Sequence, residues 1–326
     1  MRWSLVAVCT LIFATLVANA QNMTIKAESR QIVIPLIAFD QNGRLAEDID
    51  ASEVSISMDG VEQTIKGCFQ YSGPASVVYV LDRSDSMSHN LVFVGQSVEA
   101  VINESVDPLD DEFALEVFAG KPRFIMRFKS DKEGVAGIVA KNLKETKGST
   151  ALYDAVYNAI TYLKRAASKD PIDRHFAIVV ITDGGDNAGR YSKKELLSFL
   201  REVDVPIFSI KASDPNLLRL MFPDRHGKMV LPKDTLGPDE LKGPGNLQAL
   251  ADATGGAVFT AHAPEQIPRI ASLANEAMRR GYFCTFTPTG VKKTKDGMHR
   301  IKLTINRDDL QPPRYKRTVA YEPSNK

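Results

Sequence analysis

The sequence predicts an α/β fold, a mostly parallel, doubly wound sheet inserted into a small β-sandwich. Three observations predict it. Residues 76–81 (SVVYVL), 176–181 (FAIVVI) and 205–210 (VPIFSI) are apolar runs of strand length without polar alternation. That is the pattern of strands buried on both faces of a parallel sheet. Helical periodicity lies between and after these runs, and strand alternating with helix is the α/β signature. Short alternating strands with tight-turn signals occupy both ends of the chain.

Taken in order, residues 1–20 read as a cleaved signal peptide. Arg2 is a minimal basic start, residues 4–17 are uncharged and mostly apolar, and Ala18-Asn19-Ala20 is a small-residue cleavage pattern. An uncleaved anchor is the alternative. Residues 21–74 form an N-terminal β segment: Ile32, Ile34 and Leu36 alternate, and Asn42-Gly43 and Asp59-Gly60 are hairpin turns. Residues 75–280 carry the α/β domain. Within it Leu152, Val156, Ile160 and Leu163 share one helical face. Ser192 and Glu195 form a capping box before Leu196, Phe199, Leu200 and Val203, and Ile267, Ile270, Leu273, Ala274 and Ala277 mark a last helix. Residues 281–326 return to β structure, with the Asp296-Gly297 turn, alternation at Ile301, Leu303 and Ile305, and one last strand through Tyr315, Arg317, Val319 and Tyr321. The two β segments are each too small to fold alone, so they are expected to pack together.

An insertion at 214–245 separates the strand VPIFSI from a helix expected to start near Asn246, and it holds five prolines. Connections of this kind usually take about 2–6 residues. It leaves the sheet at the carboxyl ends of the strands, where Arg219, Arg225 and Lys228 could flank an acidic ligand. A solvated decoration is the other reading.

Composition narrows the function classes. Lys and Arg number 41, Asp and Glu 40, and apolar residues are 44%. A balanced charge argues against a protein that works by gripping phosphate backbones, and no nucleic-acid partner is expected. Loss of residues 1–20 would remove Arg2 and Cys9, leaving a net charge of zero and two cysteines, Cys68 and Cys284. These stand just before and just after the inserted domain. In an exported chain they can pair, or remain as buried thiols.

The chemistry sits at the carboxyl ends of the expected strands, where α/β sheets bind ligands. The first strand ends in Asp82-Arg83-Ser84-Asp85-Ser86, a second loop reads Gly148-Ser149-Thr150, and another strand ends in Thr182-Asp183-Gly184-Gly185-Asp186. Hydroxyls of Ser84, Ser86 and Thr150 with carboxylates of Asp82 and Asp183 suit a hard cation such as Mg²⁺, which takes six oxygens and keeps several waters. Few direct carboxylates leave the ion electrophilic enough to accept an Asp or Glu from another molecule. Taken singly, each piece has a plainer reading: Ser84, Ser86 and Thr150 as helix caps, Asp183-Gly184 as a turn. Asp85, Asp154 and Asp186 read by default as a loop acid, a helix-start acid and a turn former. His89, His175, His226, His262 and His299 show no ligand spacing.

The motifs DRSDSM at 82–87, GSTALYDAV at 148–156 and ITDGGDN at 181–187 resemble the von Willebrand factor A-type domain with its metal-ion-dependent adhesion site. The resemblance implies a Rossmann-like fold and Mg²⁺ (or Ca²⁺ or Mn²⁺). It implies Ser84, Ser86 and Thr150 as direct ligands, Asp82 and Asp183 as largely water-mediated ones, and an acidic protein ligand. The mature chain also resembles bacterial von Willebrand factor A-related proteins of Acidobacteria type, through Asp59-Gly60-Val61-Glu62-Gln63-Thr64-Ile65 and the aromatic strand from Tyr282 to Pro288. Cys68 and Cys284 are paired departures from that family, which fits a lineage-specific disulfide.

Three functions compete. The expected one is a secreted or periplasmic, metal-dependent protein-binding module for adhesion or complex assembly. A structural envelope protein with a non-essential metal site is the second. A Mg²⁺-dependent phosphatase-like hydrolase is the third and fits least, because it wants a second Asp two residues after Asp82, where Ser84 stands.

Overall fold

The structure is a computed structural model that describes residues 31–71, 73–105, 111–167, 174–212, 222–223, 229–230 and 238–323. Residues 1–20, and with them the expected signal peptide, lie outside the described residues, as do Arg219, Arg225 and Lys228. Among the described residues no helix is long and apolar enough to cross a membrane.

The N-terminal segment folds as β1 (Ile32–Ile37), β2 (Val54–Met58), β3 (Val61–Gln63) and β4 (Ile65–Gln70). Next come β5 (Ala75–Asp82), α1 (Leu91–Ser105), β6 (Glu112–Phe118), β7 (Arg123–Lys129), α2 (Val135–Asn142) and α3 (Leu152–Ala167). These lead into β8 (His175–Thr182), α4 (Lys193–Arg201), β9 (Ile207–Ala212) and two short strands, β10 (Phe222–Pro223) and β11 (Met229–Val230). The domain closes with α5 (Pro238–Thr254), β12 (Val258–Ala261) and α6 (Ile267–Arg279). The chain ends in β13 (Tyr282–Phe286), β14 (Met298–Ile305), β15 (Arg314–Tyr315) and β16 (Thr318–Ala320).

The central sheet has the order β12-β9-β8-β5-β6-β7, parallel except for β7. Every residue of β5 is buried because helices cover both faces. Val77, Tyr79 and Leu81 meet α1, α2 and α6 on one side. Val78 and Val80 meet α3, α4 and α5 on the other. The expected apolar face of α3 is fully buried, and Ser192 and Glu195 form the capping box of α4.

The chain ends make two four-stranded antiparallel sheets, β15-β1-β13-β4 and β16-β14-β2-β3. Each mixes strands from both ends of the sequence, so neither segment closes a sheet alone. Ile34, Leu36, Cys284 and Phe286 of one sheet pack on Ile56, Met58, Ile301 and Leu303 of the other. Cys68 stands opposite Cys284 across β4 and β13, and the two form a disulfide.

Two sequence expectations are corrected. The last strand is broken in two, with β15 and β16 in different sheets. Lys316 lies at the break: its side chain is buried, and its Nζ donates to Val203 O at 2.9 Å and to Asp204 Oδ1 at 2.8 Å. One ammonium thus binds a backbone carbonyl and a carboxylate just past α4 at the point where the chain passes from one sheet to the other. The helix expected near Asn246 begins at Pro238 and runs through Pro244, and the insertion also contains the pair β10-β11.

Glu116, in the middle of β6, was not singled out by its sequence context. It is fully buried; Oε1 accepts from Asn158 Nδ2 at 2.7 Å, and Oε2 has no hydrogen-bond partner. Burial pushes its carboxyl up to about 8. The folded protein therefore keeps a proton here that the unfolded chain releases above its ordinary value of 4.5. Stability from this group is full at low pH and falls by about 1.4 kcal/mol per pH unit between those two values. Urea unfolding at several pH values should show this slope, and Glu116→Gln should lack it; equal slopes refute the assignment. Removing the disulfide by Cys68→Ala with Cys284→Ala should lower the unfolding free energy by about 2–5 kcal/mol, seen as a lower urea midpoint.

Candidate metal centre

Strand β5 delivers Asp82 to the carboxyl end of the sheet with no exposure to solvent. Its carboxylate is held at both oxygens. Ser84 N donates to Oδ1 at 2.8 Å, and the Thr182 hydroxyl donates to Oδ2. The same Thr182 oxygen accepts from Gly184 N at 3.0 Å. One hydroxyl therefore ties the end of β5 to the turn after β8. Burial, and then the charge of Asp183, push the Asp82 carboxyl up to about 7, while the Thr182 and Ser84 hydrogen bonds oppose the shift.

The chain leaves Asp82 through Ser84 into a single 3-10 turn, Asp85–Met87. Ser84 holds the N-cap position but its side chain makes no capping bond. Its hydroxyl stands 3.1 Å from that of Ser86. Two oxygens on neighbouring corners of an octahedron with Mg–O bonds of about 2.1 Å are about 3 Å apart. The pair therefore fits that geometry. Thr150 is buried just before α3. Its amide donates to Asn187 Oδ1 at 2.8 Å, and its carbonyl accepts from Asn187 N and Ala188 N. Asp186 takes the capping role, accepting from Tyr153 N at the start of α3 at 3.0 Å. Ser84 therefore caps no helix with its side chain, and Asp186 supplies a capping bond to α3.

Asp183 is half-buried, and its Oδ1 accepts from Gly185 N at 3.0 Å. The structure thus brings Asp82, Ser84, Ser86, Thr150 and Asp183 to adjoining loops at one end of the sheet. The two carboxylates stand among neutral hydroxyls; among the described residues no three His, Cys, Asp or Glu side chains cluster as a metal group. Such a donor set suits a hard cation that keeps part of its water.

The remaining acids brace the loops. Asp85 Oδ1 accepts from Gly148 N at 2.9 Å, and Asp85 N donates to Gly148 O. Asp154 is buried and accepts from the amides of Arg190 and Tyr191 and from Arg190 Nε. Of the histidines, His175 is buried and burial lowers it to about 4, while His299 bridges Asp59 and Tyr321 O in the sandwich.

Several contributors had no role in the sequence reading: Thr182, Asn187, Lys211, Gly243 and Asn246. Gly184 has φ +93°, and a Cβ there would meet Gly243 O at 2.4 Å. A Cβ on Gly243 would in turn meet Asp183 O at 2.4 Å. The backbone of α5 thus presses directly on the Asp183 turn, and Asn246 Nδ2 donates to Gly184 O at 3.0 Å. The Gly243-Pro244-Gly245 run resembles a helix breaker, but its first glycine serves this close approach. Lys211, at the end of β9, is half-buried; burial pushes its ammonium down and Asp183 partly opposes this.

Residues 76–226 match the family model of the von Willebrand factor type A domain. No curated protein matches the chain. Among solved structures, it is similar to the conserved hypothetical protein BatB from Bacteroides thetaiotaomicron at 18% identity and TM-score 0.44, over 62% of this chain and 98% of that one. It is similar to a von Willebrand factor type A protein from Catenulispora acidiphila at 11% identity and TM-score 0.46, over 86% of this chain and 76% of that one. Proximal thread matrix protein 1 from the mussel byssus, with a zinc-occupied MIDAS motif, is similar at 19% identity and TM-score 0.43, over 68% of this chain and 49% of that one.

Gly243→Ala should cost about 1–3 kcal/mol, because its methyl group collides with backbone that must move. Gly245→Ala, with nothing within 4 Å of its Cβ, should be neutral or mildly stabilising. Paired chemical denaturation curves check both; equal effects would refute the close-packing account.

Proposed function

We propose that the von Willebrand factor type A domain at residues 76–226 is a divalent-cation site that docks an acidic side chain of a protein partner. The observation that supports this best is the Ser84–Ser86 hydroxyl pair at 3.1 Å, free of capping duty, beside an Asp82 whose two oxygens are already hydrogen-bonded. Ser84, Ser86 and Thr150 would offer neutral oxygens directly, and Asp82 and Asp183 would hold the ion's waters. A bound Mg²⁺, or Ca²⁺ or Mn²⁺, supplies an electrophilic position for one anionic oxygen. The chain's own residues fix that position: Thr182 locks two loops together, Asn187 sets Thr150, and α5 supports Asp183.

In this reading the protein is a binding module and not an enzyme. A carboxylate-nucleophile hydrolase needs a free Asp oxygen and a second Asp; Asp82 is tied at both oxygens and Ser84 takes the second position. The signal-peptide pattern at 1–20 supports export to the periplasm, cell surface or medium, and a role in adhesion or envelope assembly. The disulfide supports the same placement, since such bonds persist in oxidising compartments.

Millimolar Mg²⁺ or Mn²⁺ should raise the thermal midpoint of the native protein, with EDTA reversing it, because a ligand that binds only the folded state stabilises it by mass action. Asp183→Ala should abolish the response. Partner capture from the envelope and secreted fractions of the host should be lost with EDTA and with Asp183→Ala. Capture that survives both makes the structural-protein reading the correct one, and phosphoester turnover with Mg²⁺ would restore the hydrolase.

A further inference from the structure

Lys211 is the penultimate residue of β9 and the last charged residue before the chain enters the insertion. Its register places it between Thr182 of β8 and Thr260 of β12. Thr182 is the residue that donates to Asp82. Lys211 therefore stands beside Thr182, one residue before Asp183, and Thr182 ties this strand end to Asp82. The ammonium is half-buried, and Asp183 is the charge that acts on it. It closes no ion pair among the described residues. A partly desolvated ammonium without a contact partner normally finds one or stays in water. Here it stands on a strand end beside Thr182 and within reach of the charge of Asp183.

We propose that Lys211 is a second, permanent anion-reading group of this site: a fixed positive charge that attracts the partner's carboxylate and tempers retention of the divalent cation. The inference rests on the metal reading above and adds a residue to it. Two cation-type centres then face the ligand, one exchangeable and one covalently part of the sheet. Lys211 acts on both occupants with opposite sign. Coulomb's law makes it repel the cation and attract the carboxylate, and partial burial keeps that field from being screened as it would be in water. It is the described counterpart of the role that sequence reasoning gave to Arg219, Arg225 and Lys228.

Opposite signs make the test discriminating. Lys211→Met keeps an unbranched side chain one atom shorter and removes the charge. Free Mn²⁺ can be followed by electron paramagnetic resonance, and acetate can then be titrated against the Mn²⁺-loaded protein by water proton relaxation at constant ionic strength. Lys211→Met is expected to bind Mn²⁺ tighter by about three- to tenfold and acetate more weakly by a similar factor. Lys211→Arg should restore both native values. A merely structural role would weaken both ligands together, and that result overturns the proposal. So does a Lys211→Met protein with both affinities unchanged while native Mn²⁺ binding remains dependent on Asp183. If the native protein takes up no Mn²⁺, the metal reading fails and the role of Lys211 fails with it. Should Lys211→Met not fold, Lys211→Gln read against Lys211→Arg gives the same comparison.

Discussion

The buried carboxylate of Asp82 is the constraint on which the rest of the site depends. A charge at the end of a strand buried along its whole length needs hydrogen bonds to both oxygens. It finds them in Ser84 N, two residues on in the chain, and in the Thr182 hydroxyl, one hundred residues away. The first bond sets the turn that presents Ser84 and Ser86. The second draws the β8 turn alongside and, through Gly184 N, fixes where Asp183 emerges. Two of the three loops are thereby placed by one side chain. The third is tied to the same turn by Asn187, which holds Thr150 from both its amide and its carbonyl.

Burial also explains the division of labour among the acids. Burial, and then the charge of Asp183, raises the Asp82 carboxyl. Asp85, Asp154 and Asp186 each accept from backbone amides and serve as scaffold. The proposed ligand set thus holds two carboxylates, Asp82 and Asp183, among hydroxyls.

Much of this was legible in the sequence because period and position speak directly there. Strands buried on both faces are uninterrupted apolar runs, so β5, β8 and β9 could be read at once. Ser192 and Glu195 announced their helix, and the candidate ligand positions stood after strand ends or, for Thr150, in a loop that opens a helix. What could not be read depends on contacts between distant segments. Gly243 drew no notice because its reason, the approach of α5 to Asp183 O, lies sixty residues away in the chain. The last strand looked continuous because alternation does not show that Lys316 is needed at Val203 O and Asp204. Glu116 sits within β6, whose charged residues mask the strand pattern, and only the sheet order reveals that it is buried.

The sandwich imposes an order of events during synthesis. Its first sheet pairs β1 with β13 and β15, and β4 with β13, and the cysteines it joins are 216 residues apart. At ordinary elongation rates of about 5–20 residues per second, Cys68 waits on the order of ten to forty seconds before Cys284 exists. During that time the α/β domain can assemble, while β1 to β4 remain an open half carrying seven carboxylates and two basic side chains in residues 31–74. The arriving residues 281–323 bring nine Lys and Arg against four acids. Opposite charge thus favours the late segment finding the early one. With no other cysteine in residues 21–326, the thiols have one intramolecular partner each, and oxidation has a single intramolecular product.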